Sequence, residues 1–147
     1  MAITFITGIP RSGKSYYAMY LLYKQFIEEK KSPNLFKKVF TSLFPDKTFS
    51  KTWDIAYTNI NQFDFSKSDK IKLFDYDELY PHLEILQLMF LDKKSDDELI
   101  EYAKSVYLYN CLFVIDEAQN FFSKDNPVVT WWFTYHGHLH QDIILLT

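Results

Sequence analysis

Gly8-Ile9-Pro10-Arg11-Ser12-Gly13-Lys14-Ser15 follows the β-rich run Ile3-Thr4-Phe5-Ile6-Thr7 and precedes a segment with helical periodicity. It matches G-x-x-x-x-G-K-S/T in full. Glycine at the first and sixth positions lets the main chain turn its N–H groups toward phosphate oxygens with no Cβ in the way. Lys14 supplies positive charge for the β- and γ-phosphates, and Ser15 a hydroxyl for Mg²⁺. The helix that begins at Lys14 aims the positive end of its dipole at the same anion. Gly8, Pro10, Arg11, Ser12, Gly13, Lys14, Ser15 and Tyr16 are therefore the predicted nucleotide-binding set, with ATP and Mg²⁺ as the ligands they imply.

A metal-bound nucleotide also needs an acid. Leu112-Phe113-Val114-Ile115-Asp116-Glu117 supplies four apolar residues and then two carboxylates, the pattern of a buried strand with acids at its carboxyl end. In a parallel sheet that end is where ligands sit. Asp116, with Ser15, is the candidate metal pair. Glu117 is the candidate that polarises an attacking water, a role suited to a positioned carboxylate. Lys14, Asp116 and Glu117 thus form the predicted catalytic set. About 100 residues lie between the two motifs, enough for a strand placed between the loop strand and the Asp-Glu strand, since a crossover takes about a dozen residues or more.

Outward from these motifs, residues 2–7 read as a buried strand. Residues from Lys14 to about Lys31 read as a helix with Tyr17, Leu21, Leu22 and Ile27 on its apolar face, stopped by Ser32-Pro33-Asn34. Phe36, Phe40 and Phe44 have helical spacing in a segment that is otherwise ambiguous. Asp54 to Ile60 and Lys70 to Phe74 read as strands, Asp77 to Leu91 and Asp96 to Tyr107 as helices, with Ser95 as an N-cap. Asn126-Pro127 opens a helix towards His136, and Asp142 to Leu146 is a last strand. Alternating strands and helices predict an α/β fold: a three-layer P-loop NTPase with a mainly parallel sheet flanked by helices, one domain over 1–147.

Composition agrees with a single folded domain. The 147 residues are 48% hydrophobic and 24% charged, with a net charge of -3, and the 19% aromatic content provides ample core. A slightly acidic chain does not wrap nucleic acid by bulk charge. Cys111 is the only cysteine, which excludes a disulfide framework and reads as a small buried residue. No stretch approaches the roughly 20 apolar residues that span a bilayer. Only 3 glycines are present, and two of them stand in the phosphate loop.

Four blocks, in order, resemble the zonula occludens toxin family, the assembly ATPases of filamentous phages. Thr7 to Ala18 resembles its T-G-x-P-G-S-G-K-S-Y opening, and Tyr57-Thr58-Asn59-Ile60 its T-N-I strand end. Val114 to Phe122 resembles I-D-E-A-Q-x-F-F, and His136 to Thr147 the H-R-H-x-G-x-D-I stretch. The resemblance implies a motor that hydrolyses ATP to drive phage assembly and export of single-stranded phage DNA. It further implies a homo-oligomeric ring, assembly-protein partners and a cytoplasmic domain of an inner-membrane protein, anchored through residues beyond 147. The toxin name belongs to effects credited to the family's periplasmic part.

Three departures stand out. Arg11 occupies a position where the family often has glycine, Gly137 one where it has arginine, and His140 one where it has glycine. Arg11 is the only arginine of the chain, so it reads either as a solvated loop tip or as a charge supplied to the phosphates in cis or in trans. Thr147, at the end of the last strand, is a candidate γ-phosphate sensor. The His136, His138, His140 series suits a metal only on an extended strand. Trp131, Trp132 and Phe133 read as packing or as a stacking platform for bases, and Lys30-Lys31 with Lys37-Lys38 as a solvated charge run or an anion contact. Two other functions fit the phosphate loop, a small-molecule phosphotransferase and a nucleotide-gated scaffold with little turnover; Glu117 argues against the first.

Overall fold

The computed structural model describes residues 2–9, 11–27 and 52–147. Pro10, the stop at Ser32-Pro33-Asn34, the Phe36, Phe40 and Phe44 stripe and the two lysine pairs lie outside the described residues. The elements are β1 (Ile3–Ile6), α1 (Lys14–Phe26), β2 (Ile55–Thr58), β3 (Ile71–Leu73), α2 (Tyr76–Leu91), α3 (Asp96–Ser105), β4 (Cys111–Ile115), α4 (Pro127–Tyr135) and β5 (Asp142–Leu146).

The five strands form one sheet in the order β1-β5-β4-β2-β3, and every pairing is parallel. The sheet divides two cores because successive strand residues point to opposite faces. On one face Leu112, Val114, Ile144 and Leu146 pack with Ala18, Leu21 and Leu22 of α1. On the other, Phe113, Ile115, Ile143 and Leu145 pack with Leu79, Leu83 and Leu86 of α2, Leu99 and Ala103 of α3, and Trp132 of α4. This is the three-layer α/β arrangement expected of a P-loop NTPase, with a wholly parallel sheet.

Helix starts follow local chemistry. Ser95 and Glu98 form a reciprocal capping box on α3, and the Asn126 side chain accepts from the amides of Val128 and Val129 ahead of Pro127. Such caps satisfy amides that have no acceptor inside the helix.

Two expectations need correction. A strand does separate β1 from β4, but it is β5, which follows the Asp-Glu motif; β2 and β3 lie beyond β4. Burial explains the choice: all five residues of β5 and of β4 are buried, whereas β2 alternates and β3 exposes Lys72 and Leu73. The most apolar strands take the centre, where helices cover both faces. Second, β1 is not a buried strand. Among the described residues it pairs with β5 alone, at the end of the sheet, and Phe5 is 62% exposed.

Candidate functional site

Parallel register brings the carboxyl ends of all five strands to one edge, so the residue that follows each strand lies on that edge. The phosphate loop leaves β1 there, Asp116 follows β4, Asn59 follows β2, and Thr147 follows β5. The Thr147 amide donates to the Ile6 carbonyl at 3.2 Å, which sets this residue beside the start of the loop.

The loop has the geometry its glycines predict. Gly13 has φ +84° and is the N-cap of α1, with no side-chain cap on that helix end. The first intrahelical bond runs from the Tyr17 amide to the Gly13 carbonyl at 2.9 Å. Helix geometry therefore leaves the amides of Lys14, Ser15 and Tyr16 without intrahelical acceptors. A Cβ on Gly8 would stand 2.9 Å from Ser12 Oγ, too close unless the serine shifts. Lys14 Nζ donates to the carbonyls of Gly8 at 2.8 Å and Ile9 at 3.3 Å, so its ammonium lies against the loop it belongs to. These features suit a phosphate group: backbone donors at a helix start, a lysine within the loop, and glycine where a side chain would crowd it.

The two motifs meet directly. Ser15 Oγ donates to Asp116 Oδ2 at 2.7 Å across 101 positions of sequence. A hydroxyl and a carboxylate of this kind are the hard oxygen donors that a magnesium ion prefers. Asp116 Oδ1 accepts from the Glu117 amide at 2.9 Å. Glu117 has φ +51°, and its exposed side chain accepts a hydrogen bond from Gln119 Nε2.

Sequence reasoning assigned no role to Asn59, yet its carboxamide pairs with the main chain of Asp116 at both ends. Nδ2 donates to the Asp116 carbonyl at 2.8 Å and Oδ1 accepts from the Asp116 amide at 2.7 Å. The available signal was an amide side chain directly after a strand that ends on the ligand edge.

Of the predicted site residues, Gly8, Gly13, Lys14, Ser15 and Asp116 come together, and Glu117 stands next to them. Arg11, Ser12 and Tyr16 are exposed, and Pro10 is outside the described residues. Arg11 has φ +64°, the left-handed region that costs an L-residue roughly 1–2 kcal/mol and glycine nothing. Glycine would meet that backbone demand without strain. Gly137 has open space around it and no positive φ, so no backbone demand accounts for its glycine.

The other candidates disperse. His136 Nδ1 lies 2.7 Å from the Phe133 carbonyl, His138 is 3.6 Å from Asp96, and the His140 ring rests on Tyr109. Among the described residues no group of three or more His, Cys, Asp or Glu could hold a metal ion. Trp132 is fully buried and donates to Gln141 Oε1 at 2.7 Å. Trp131 stacks on Tyr135 at 4.9 Å between ring centres, and Phe133 lies edge-on to Phe122. These contacts make the aromatic run part of the packing between α4 and its surroundings.

The family model for zonular occludens toxin (Zot) matches residues 2–147. The chain belongs to the zonular occludens toxin family. A solved structure similar to it is the crystal structure of the N-terminal domain of zonular occludens toxin from Neisseria meningitidis. The match has 20% identity and a TM-score of 0.49, and it covers 99% of this chain and 65% of that one. The chain thus spans about two thirds of that protein's resolved length. No curated protein matches it. Among the described residues no helix is long and apolar enough to cross a membrane.

Proposed function

We propose that this Zot-family chain is a P-loop ATPase domain that binds ATP·Mg²⁺ and hydrolyses it to drive filamentous phage assembly and export of phage DNA across the inner membrane. The observation that carries the reading is the Ser15–Asp116 hydrogen bond of 2.7 Å, which joins the phosphate loop to the acid-tipped strand. Family membership supports the assembly role. A ring of subunits, single-stranded phage DNA, assembly proteins and an inner-membrane setting belong to the same proposal.

The geometry supports a role for each residue within this proposal. Lys14 exchanges the Gly8 and Ile9 carbonyls for the β- and γ-phosphate oxygens, and the amides at the start of α1 bind the same anion. Ser15 and Asp116 would hold Mg²⁺, which would neutralise charge on the phosphate oxygens. Glu117, once released from Gln119, orients a water and accepts its proton as the water attacks the γ-phosphorus. The leaving group is ADP.

Phosphate release and equilibrium nucleotide binding, measured on wild type, K14A and E117Q, test the reading. The expected pattern is release by wild type, loss of binding in K14A, and retained binding without turnover in E117Q. Wild type that binds no nucleotide refutes the reading. The contact between Gln119 and Glu117 favours one second reading, a nucleotide-gated scaffold; binding with no release at any protein concentration would select it.

A further inference from the structure

β2 and β4 stop pairing through their backbones just before the site. The last partners are Thr58 and Val114. Beyond them the β2 chain turns away, with the Ile60 amide on Thr58 Oγ1 at 3.3 Å and the Phe63 amide on the Ile60 carbonyl at 3.1 Å. In a continuing parallel ladder, the amide and carbonyl of Asp116 would each meet a peptide group of β2. Asn59 supplies both partners from its side chain, at 2.7 Å and 2.8 Å. A carboxamide carries the donor and acceptor of a peptide unit, whereas a carboxylate lacks the donor and an alkyl side chain lacks both.

The consequence falls on the metal-side carboxylate. With its amide and carbonyl held by Asn59, Asp116 has its Oδ2 on Ser15 and its Oδ1 on the Glu117 amide. Each polar atom of the residue is partnered. The next residue, Glu117, takes φ +51°, and the chain there leaves the strand for a short turn at Ala118–Asn120. A non-glycine residue in that conformation persists only where the structure around it over-determines it, and the fixed main chain of Asp116 is part of that structure.

We propose that Asn59 is a positioning residue for the nucleotide site: it extends the β2–β4 ladder by one step, aims Asp116 at Ser15, and sets the turn that places Glu117. The proposal rests on the ATPase reading of the site. Loss of an outer partner of a metal-site group typically costs about 10- to 100-fold, and that is the range expected here.

The test measures ATP affinity with and without Mg²⁺, the Mg²⁺ concentration for half-maximal binding, kcat and KM for phosphate release, and Tm. It compares wild type with N59A, N59S and N59D in the full chain. In N59A, metal-free ATP affinity should stay within about twofold, because the phosphate loop is intact. Its Mg²⁺ midpoint should rise and its kcat fall by about tenfold or more. N59S, which retains a small acceptor for the Asp116 amide, should fall between wild type and N59A. N59D, which places a carboxylate against the Asp116 carbonyl, should be no better than N59A.

A lower Tm in N59A with unchanged kcat and Mg²⁺ midpoint overturns the proposal, since Asn59 would then be structural only. If N59A does not fold, N59S and N59D decide on the same measures. Wild type that binds ATP·Mg²⁺ without turnover defeats the hydrolysis reading alone, because the Mg²⁺ midpoint still judges Asn59. Wild type that binds no nucleotide removes the reading and the proposal together.

Discussion

Replacing Gln141 by leucine probes the polar bridge that ties α4 to the sheet. Gln141 and Trp132 are fully buried. Gln141 Oε1 accepts from Trp132 Nε1 at 2.7 Å, and its Nε2 donates to the Leu108 carbonyl at 2.6 Å. Leucine fills a similar volume, so the cavity contribution is small, and what remains is a tryptophan N–H and a carbonyl with their partner gone. Each such group costs about 1–3 kcal/mol when buried. Less the apolar gain of the leucine, the net is about 3 kcal/mol, against a whole-domain stability of roughly 5–15 kcal/mol. At about 3 °C per kcal/mol for a chain of this size, Tm should fall by about 10 °C.

A thermal melt followed by circular dichroism measures this directly. Q141E adds a pH-resolved check, because glutamate keeps the acceptor for Trp132 and, when ionised, loses the donor to Leu108. Burial raises the carboxyl above its unfolded value of about 4.3. The folded state therefore holds that proton more tightly, so the deficit relative to wild type is small below the unfolded value and grows as pH rises through the folded one. The deficit should be wider at pH 7.5 than at pH 4.5. A Q141L melt within about 3 °C of wild type, or a Q141E deficit equal at the two pH values, would refute the buried-bridge argument.

G13A should lower Tm by about 3–6 °C, since alanine at φ +84° carries roughly 1–2 kcal/mol of strain; it should weaken ATP binding as well. R11G and R11A remove the same charge, but only glycine relieves φ +64°, so R11G should melt no lower than R11A. ATP affinity unchanged in both, by fluorescence titration, would exclude a phosphate contact from Arg11 in cis. Tyr57 donates to the Tyr107 carbonyl, and burial, with the Cys111 thiol adding to it, pushes its phenol up to about 12. The folded state retains that proton above pH 10 while the unfolded chain loses it, so stability from this group is present below 10 and is lost between 10 and 12. Wild type should lose Tm more steeply than Y57F across that window.

The strands, helices and caps were legible because each rests on neighbours in sequence. Ser95 and Asn126 are caps on the strength of the residues that follow them, and β4 is a strand because four apolar residues run together. The order of strands was not legible. The segment between the motifs contributes β2 and β3, and nothing in its length says that these lie outside β4 while the last strand enters beside β1. Exposure of β1 was missed for the same reason: an edge strand and a central strand of four apolar-rich residues look alike until their neighbours are known.

The Gly8–Ser15 loop was legible as a unit, because its glycine, lysine and serine stand at fixed spacing and the backbone they shape is local. Lys14 against the Gly8 carbonyl and the left-handed Gly13 are properties of eight consecutive residues. The left-handed backbone at Arg11 was not readable from an arginine, which is a residue that disfavours it. Asn59 carried only the signal of its place at a strand end, and Gln141 carried none, because what an amide side chain holds is set by partners 57 and 9 positions away in sequence.

The sequence by itself determined the groups available to this protein: a glycine-bearing loop with a lysine and a hydroxyl, and two acids at the tip of an apolar strand. Only the tertiary structure decided that Ser15 and Asp116 share a hydrogen bond and that Asn59 holds the main chain behind them. Local motifs are written in backbone preference and side-chain type, which act over a few residues. The meeting of motifs depends on which strands bury best at the centre of the sheet, and that competition involves the whole chain at once.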